Sequence, residues 1–395
     1  MVAVGAGAGA LALSGSKTET SGDDVEHLMV PADAVTPLAD LEVVDNAEDK
    51  VRLVSDHELP YGTLIWMNDD SVAACLFPTD SGTPLAQIGL LYLQSGSSST
   101  ILEKAVGSDE HFEIYDVRAT SEGLIWTEAH VLQGAWRIYT ARIANGDLGE
   151  PVLLDEGDET YDTPTLAATG NHVFWQVLPK LPNDDKLPCK LMRATAGTAD
   201  AECVFESARR MGTPVYAGTD SVTIAPRLDS STVYYQLTNI DAASGNVVDQ
   251  ITLPSPMTPL EAGYGRTGFM FSFPDIYNND SGIANLGTYT PMEKPSTSEG
   301  YSSAKWFGFA RTPTAAPAWC NDLLIVKSSY SVCGVDLNEG TYFAIDVDDG
   351  ADTYGDYLAS SGEHDTFVTY ANIDHTPVEG KSTHACIAKI WTTLA

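Results

Sequence analysis

From residue 51 onward the chain is a series of short apolar runs cut by Gly, Asn, Asp and Pro. The clearest stretch lies between Gly107 and Gly157. It contains Asp116 to Thr120, Gly123 to Glu128, Trp136 to Ile143, an Asn145-Gly146 pair, and Pro151 to Leu154. β-Branched and aromatic residues in runs of this length, divided by residues that tolerate positive φ, predict strands joined by tight turns.

The unit repeats. One apolar run per unit begins near Val72, Leu124, Val173, Val222, Phe269, Leu323 and Thr366, and successive runs lie 52, 49, 49, 47, 54 and 43 residues apart. A period near 50 residues, with four short strands in each unit, predicts an all-β chain folded as a seven-bladed β-propeller of four-stranded antiparallel blades. Gly-ended turns recur after the third strand at Ser95-Gly96, Asn145-Gly146, Ala196-Gly197, Ser244-Gly245 and Glu339-Gly340, where a hairpin needs positive φ. The acidic connections at Asp155 to Tyr161 and Asp348 to Tyr354 also resemble one another, about four periods apart. The seventh unit has only three strands before the sequence ends, and Val51 to Val54 forms an unpartnered strand before the first unit. Pairing the two predicts a ring closed by the N-terminal strand, with no exposed sheet edge.

Residues 51–395 therefore read as a single propeller. Residues 1–15 are small and apolar without a charge, and are expected to be the remnant of a signal or membrane anchor whose basic start lies upstream. Residues 16–50 are acidic, with Pro31 and Pro37, and are expected to be a flexible linker. The fifth unit is the least regular, with a polar insert from Asp275 to Gly287 and an aperiodic loop from Pro291 to Ser303.

Charge narrows the partners. Asp plus Glu number 55 against 21 Lys plus Arg, a formal charge of −34. Nucleic acid and anionic lipid are disfavoured by that field, so any membrane association is expected only through the leader. A monomer is expected. Six cysteines suggest an oxidising compartment, with Cys189–Cys203, Cys320–Cys333 and Cys75–Cys386 as expected disulfides; six buried thiols in a reducing compartment is the alternative.

Strands such as Leu124-Ile-Trp-Thr-Glu128 and Val173-Phe-Trp-Gln-Val177, and turns such as Asn239 to Gly245 and Val335 to Gly340, resemble those of TolB-like and YWTD-type β-propellers. The resemblance covers about residues 50–395. The Ser-Pro-Asp-Gly turns of TolB-like repeats, the Trp-Asp ends of WD repeats and the Asp-boxes of sialidases are absent from the sequence. It implies a disc with a central channel that binds macromolecules or small ligands.

No catalytic motif stands out. There is no Gly-x-Ser-x-Gly elbow and no phosphate-binding glycine loop, and the histidines are scattered over different units. No catalytic, cofactor-binding or metal residue is assigned on this basis. Asp346, Asp348, Asp349 and Asp352 are weak candidates for Ca²⁺, because several oxygens on one loop suit a hard cation; a solvated inter-blade turn is the competing reading. Arg118, Tyr216 and Trp319, from first strands, are candidates to line the channel. Trp126 and Trp175, one period apart, are expected to pack blades. The expected function is an extracytoplasmic, secreted or tethered binding module for a protein, peptide or glycan. A hydrolase or lyase acting at the channel mouth, or the sensor domain of an anchored protein, are the alternatives.

Overall fold

The computed structural model describes residues 25–180, 187–255, 257–274, 282–283, 285–311, 315–375 and 382–394. The expected leader (1–15), the first residues of the expected linker and most of the Asp275-to-Gly287 insert lie outside these residues.

The second strand of each unit explains the architecture. Gly123–His130, Gly268–Phe273 and Leu323–Lys327 are buried at nearly every position, so both faces of the strand are covered and the sequence shows a continuous apolar run instead of an alternation. Outer strands such as Ser98–Leu102 mix exposed and half-buried positions. A sheet with two apolar faces needs a neighbour on each side.

The described strands form seven sheets. The first holds Leu64–Met67, Val72–Pro78, Ala86–Tyr92 and Ser98–Leu102. The second holds Glu113–Thr120, Gly123–His130, Ala135–Ala144 and Val152–Gly157. The third runs from Leu166–Thr169 to Glu202–Ser207, and the fourth from Tyr216–Ala217 to Val247–Thr252. The fifth runs from Glu261–Gly265 to Trp306–Phe309, and the sixth from Ala318–Cys320 to Thr341–Ala344. The seventh combines Tyr357–Leu358, Thr366–His375 and Thr383–Thr393 with Val51–Leu59, which pairs antiparallel with Thr383–Thr393.

Seven hydrophobic clusters lie between these sheets. Val117, Leu124 and Trp126 of the second sheet pack with Leu76 and Leu90 of the first. Ile65, Cys75 and Leu91 of the first sheet pack with Val368, Cys386 and Ile390 of the seventh. The arrangement is all-β and propeller-like. Trp126 and Trp175 are fully buried between sheets as packing residues, their indole N–H groups donating to Glu128 Oε1 and Asp155 Oδ2. The turn glycines at 96, 146, 197, 245 and 340 all take φ between +66° and +86°.

Residues 25–50 differ from the flexible linker expected of them. Leu28 and Val30 are buried in the core between the fourth and fifth sheets. Val35–Pro37 then adds a parallel edge strand to the fifth sheet, and Glu42–Val43 adds one to the sixth. The segment is a strap along the outer rim, held by backbone hydrogen bonds that place little demand on side-chain pattern.

The two local disulfide expectations are corrected by register, and none of the six cysteines is in a disulfide. Cys189 faces Ser207 while Cys203 faces Met192, an offset of roughly 10 Å along the strands, beyond the ~7 Å between Cα atoms that a disulfide spans. Cys320 and Cys333 sit on the first and third strands of one sheet, two strand spacings or about 9.6 Å apart. Cys75 and Cys386 do share one core, as two thiols. Burial pushes Cys320 and Cys386 up to about 12 and raises Cys75 as well, so these thiols are unreactive at neutral pH.

Deleting residues 1–59 removes the strap and exposes the whole Thr383–Thr393 edge. The melting temperature should fall by about 10 °C or more, measured by circular dichroism; an unmoved curve would show that the strand contributes nothing.

Candidate functional site: a blind cavity between the first strands

The first strands of the first six sheets neighbour one another in sequence order, and Thr366–His375 of the seventh sheet touches Leu64–Met67 of the first. Between them lies a cavity of about 320 Å³. Its lining mixes residues of the first strands, Trp66, Arg118, Tyr216 and Tyr357, with residues just before strand starts, Thr165, Pro214, Val215, Ala315 and Ala316, and with Lys327 from the end of a second strand.

One end of the cavity is closed by the segment from Ala359 to Thr366. The Met67 N–H donates to Ala359 O at 2.9 Å and Ser361 N–H to Met67 O at 3.3 Å, tying the segment to the first sheet. Gly362–His364 pairs parallel with Ala318–Cys320 of the sixth sheet. Thr219, after the first strand of the fourth sheet, donates to Glu363 O at 3.1 Å, and Arg266, after that of the fifth, pairs with the Glu363 carboxylate at 2.9 Å. Asp70 Oδ1 accepts from Asp365 N, Thr366 N and Thr366 Oγ1 at 3.0–3.1 Å. Burial opposes a charged Asp70, but His364 and Thr366 outweigh it and hold the carboxyl below its ordinary value. Gly362 has φ +82°, and a Cβ there would sit 3.0 Å from the Gly218 backbone, so glycine is required where the segment passes the fourth sheet.

The wall carries polar groups in an otherwise apolar setting. Arg118 Nη1 donates to Asp116 Oδ1 at 2.5 Å and to Val117 O at 2.6 Å, and the guanidinium lies 4.3 Å over the Trp66 ring. On the floor, Asn68 Nδ2 donates to Ser361 Oγ at 3.0 Å, leaving its buried Oδ1 without a partner. Burial, with a smaller contribution from Glu261, raises the Tyr216 hydroxyl above its ordinary range.

Lys327 is 2% exposed and donates to Tyr330 O at 2.9 Å and Tyr354 O at 2.7 Å. Asp356, also 2% exposed, has a buried Oδ2 with no partner. The two attract each other, but they form no ion pair within 4.0 Å among the described contacts. Burial outweighs the attraction on both sides, bringing Lys327 down to about 8 and Asp356 up to about 6. Lys327 ends the apolar run Leu323-Leu-Ile-Val-Lys327. A cation closing a fully buried strand was the sequence signal for this group.

The structure places Arg118 and Tyr216 on the cavity wall and Trp319 elsewhere. Trp319 is 2% exposed in the core between the fifth and sixth sheets, against Met270 and Phe307. Its side chain lies in that core and outside the cavity lining. Among the acidic loop residues, Asp348 pairs with Lys389 at 2.7 Å, Asp352 Oδ1 accepts from Tyr354 N at 2.7 Å, and Asp346 and Asp349 are exposed. Among the described residues no three His, Cys, Asp or Glu side chains converge in a metal-binding group, and no helix is long and apolar enough to cross a membrane.

Asp356 has a raised pKa, so the charge costs folding free energy above pH 6, and the cost disappears as pH falls below about 4. Replacing it with an uncharged isostere should remove a penalty on the order of 2 kcal/mol. Asp356→Asn should therefore melt higher than the native chain at pH 7.5 and equal it at pH 4. A lower melting temperature at pH 7.5 would assign the carboxylate a stabilising partner.

No protein-family model matches the chain, and no curated protein matches its sequence. Solved structures do match it. A prolyl endopeptidase structure shares 11% identity with a TM-score of 0.51, covering 89% of this chain and 48% of that one. The β-propeller domain of the Trilobed protease from Pyrococcus furiosus gives 11% identity and a TM-score of 0.39, over 69% of this chain and 82% of that one. TolB from Acinetobacter baumannii gives 8% identity and 0.40, over 70% and 64%. The chain spans about half the length of the prolyl endopeptidase it matches. At such identities the likeness is one of fold.

Proposed function

We propose that the seven sheets are the blades of one seven-bladed β-propeller, closed by the pairing of Val51–Leu59 with Thr383–Thr393, and that the protein is an extracytoplasmic, non-catalytic binding module. Its ligand, a protein, peptide or glycan segment, enters the axial cavity from the end opposite Ala359 to Thr366. The observation that carries this reading is the cavity itself, about 320 Å³ and floored by that segment. Its aromatic faces at Trp66, Tyr216 and Tyr357 stand beside a few fixed polar groups, the composition of ligand sites. The charge of −34 suits a soluble exterior protein.

A second reading is a hydrolase or lyase working in the same cavity. The likeness to a prolyl endopeptidase structure and the Lys327–Asp356 neighbourhood, where burial shifts both groups toward neutrality, favour it.

The test is a thermal-shift and calorimetric screen of peptides and oligosaccharides against the native chain and Ala315→Trp. Ala315 is half-buried on the cavity wall and outside the inter-sheet cores, so a tryptophan there should fill the cavity without disturbing them. Binding that weakens at least tenfold in Ala315→Trp, with the ligand recovered unchanged, supports the binding module. Turnover that disappears in Lys327→Ala would transfer the assignment to the enzyme, and binding indifferent to Ala315→Trp would remove the cavity from either reading.

A further inference from the structure

We infer that the outer edge of the Arg118 guanidinium is a carboxylate-binding subsite, so that the cavity selects a small organic acid over neutral or cationic molecules of the same shape. This rests on the cavity being the binding site, as proposed above. It adds the class of ligand.

The argument starts from which donors are already used. Nη1 of Arg118 is committed to Asp116 Oδ1 and Val117 O. Nε and Nη2 meet no acceptor among the described residues, although the side chain is only 18% exposed. Stacking on Trp66 at 4.3 Å fixes the plane of the fork, so its orientation needs little further ordering when a ligand arrives. Asp116 Oδ1 also accepts from Val117 N at 2.9 Å, which binds this carboxylate to its own strand and turns the unused side of the guanidinium away from it. Two parallel N–H groups on a rigid plane match the two oxygens of a carboxylate.

The surrounding charge supports the same ligand. Half of the ten arginines of this acidic chain are engaged by carboxylates on the surface, outside the cavity, as Arg137 is with Glu110, Arg193 with Glu202, and Arg209 with Asp229. In the cavity, the charge of Asp116 offsets that of Arg118, and Lys327, bonded to two backbone carbonyls, adds a second cation that Asp356 partly offsets. On the floor, the unpartnered Asn68 Oδ1 asks for an N–H or O–H. Carboxylate and donor together describe an N-acyl amino acid, as at a peptide C-terminus, or a sugar acid.

Matched probes separate these sources and test the subsite. N-acetylphenylalanine and its amide form one pair, and glucuronate and glucose the other, each titrated calorimetrically into the full chain. One acid should bind about tenfold or more tightly than its neutral twin, since loss of a charged bidentate partner removes at least that much. Arg118→Ala should abolish the preference, and Arg118→Lys, which keeps the charge but not the fork, should recover only part of it. Preference within the first pair assigns a peptide-like acid, and within the second a sugar acid. Equal binding of acid and twin, an acid preference that survives in folded Arg118→Ala, or no binding of either acid at about 10 mM overturns the subsite. If binding without charge preference is lost in Ala315→Trp, the subsite fails while the cavity stands. If it persists in Ala315→Trp, both fail.

Discussion

Each sheet of this protein is apolar on both faces, and that constraint organises the rest. The strand Gly268–Phe273 has three phenylalanines and no exposed position; burying one face leaves the other in need of cover. An open stack would leave two terminal faces in water, each at a cost of roughly 25 cal/mol per Å². Sheets that meet in a cycle avoid this, and the core shared by Cys75 and Cys386 sits where the first and seventh sheets meet. Val51–Leu59 covers by hydrogen bonding an edge of Thr383–Thr393 that would otherwise be unpaired.

That packing determines where chemistry can be placed. Trp319, in mid-strand, is committed to an inter-sheet core. What reaches the cavity comes from the first strands, from residues just before them, and from the segment that crosses the floor. Arg118 reaches the wall because Trp66 and Asp116 support it on both sides. Lys327 reaches it from the end of a strand whose preceding residues are buried, and its ammonium replaces lost water with the carbonyls of Tyr330 and Tyr354. Polar groups at such positions are fixed by the framework, which favours orientation of a ligand over adaptation to it.

What could be read from the sequence follows from the same physics. The period was visible because burial on both faces leaves unbroken apolar runs, and the turns because positive φ at 96, 146, 197, 245 and 340 calls for glycine. The strap at residues 25–44 was hidden, since Val35–Pro37 and Glu42–Val43 join their sheets through backbone groups that any sequence carries. The cysteine pairs misled because proximity in sequence says nothing of register, and a shift of three residues separates Cys189 from Cys203. Of the cavity, Arg118 and Tyr216 could be found by their place on first strands. Trp66 and Asn68 could not, Lys327 was signalled only as a cation closing an apolar run, and the floor from Ala359 to Thr366 reads in sequence as an ordinary polar loop.

The floor also bears on how freely the cavity could change. Five sheets meet on that one segment through Met67, Thr219, Arg266, Cys320 and Tyr357–Leu358, and Gly362 leaves no room for a side chain against Gly218. Substitutions there disturb contacts to several sheets at once. The wall at Ala315 is different, because it lies in a connection outside the inter-sheet cores. A cavity with a rigid floor and one permissive wall can change shape there without loss of the fold. Under the binding role proposed above, selectivity then rests on Arg118 and Asn68, which the framework holds, and on wall residues whose replacement costs the fold little.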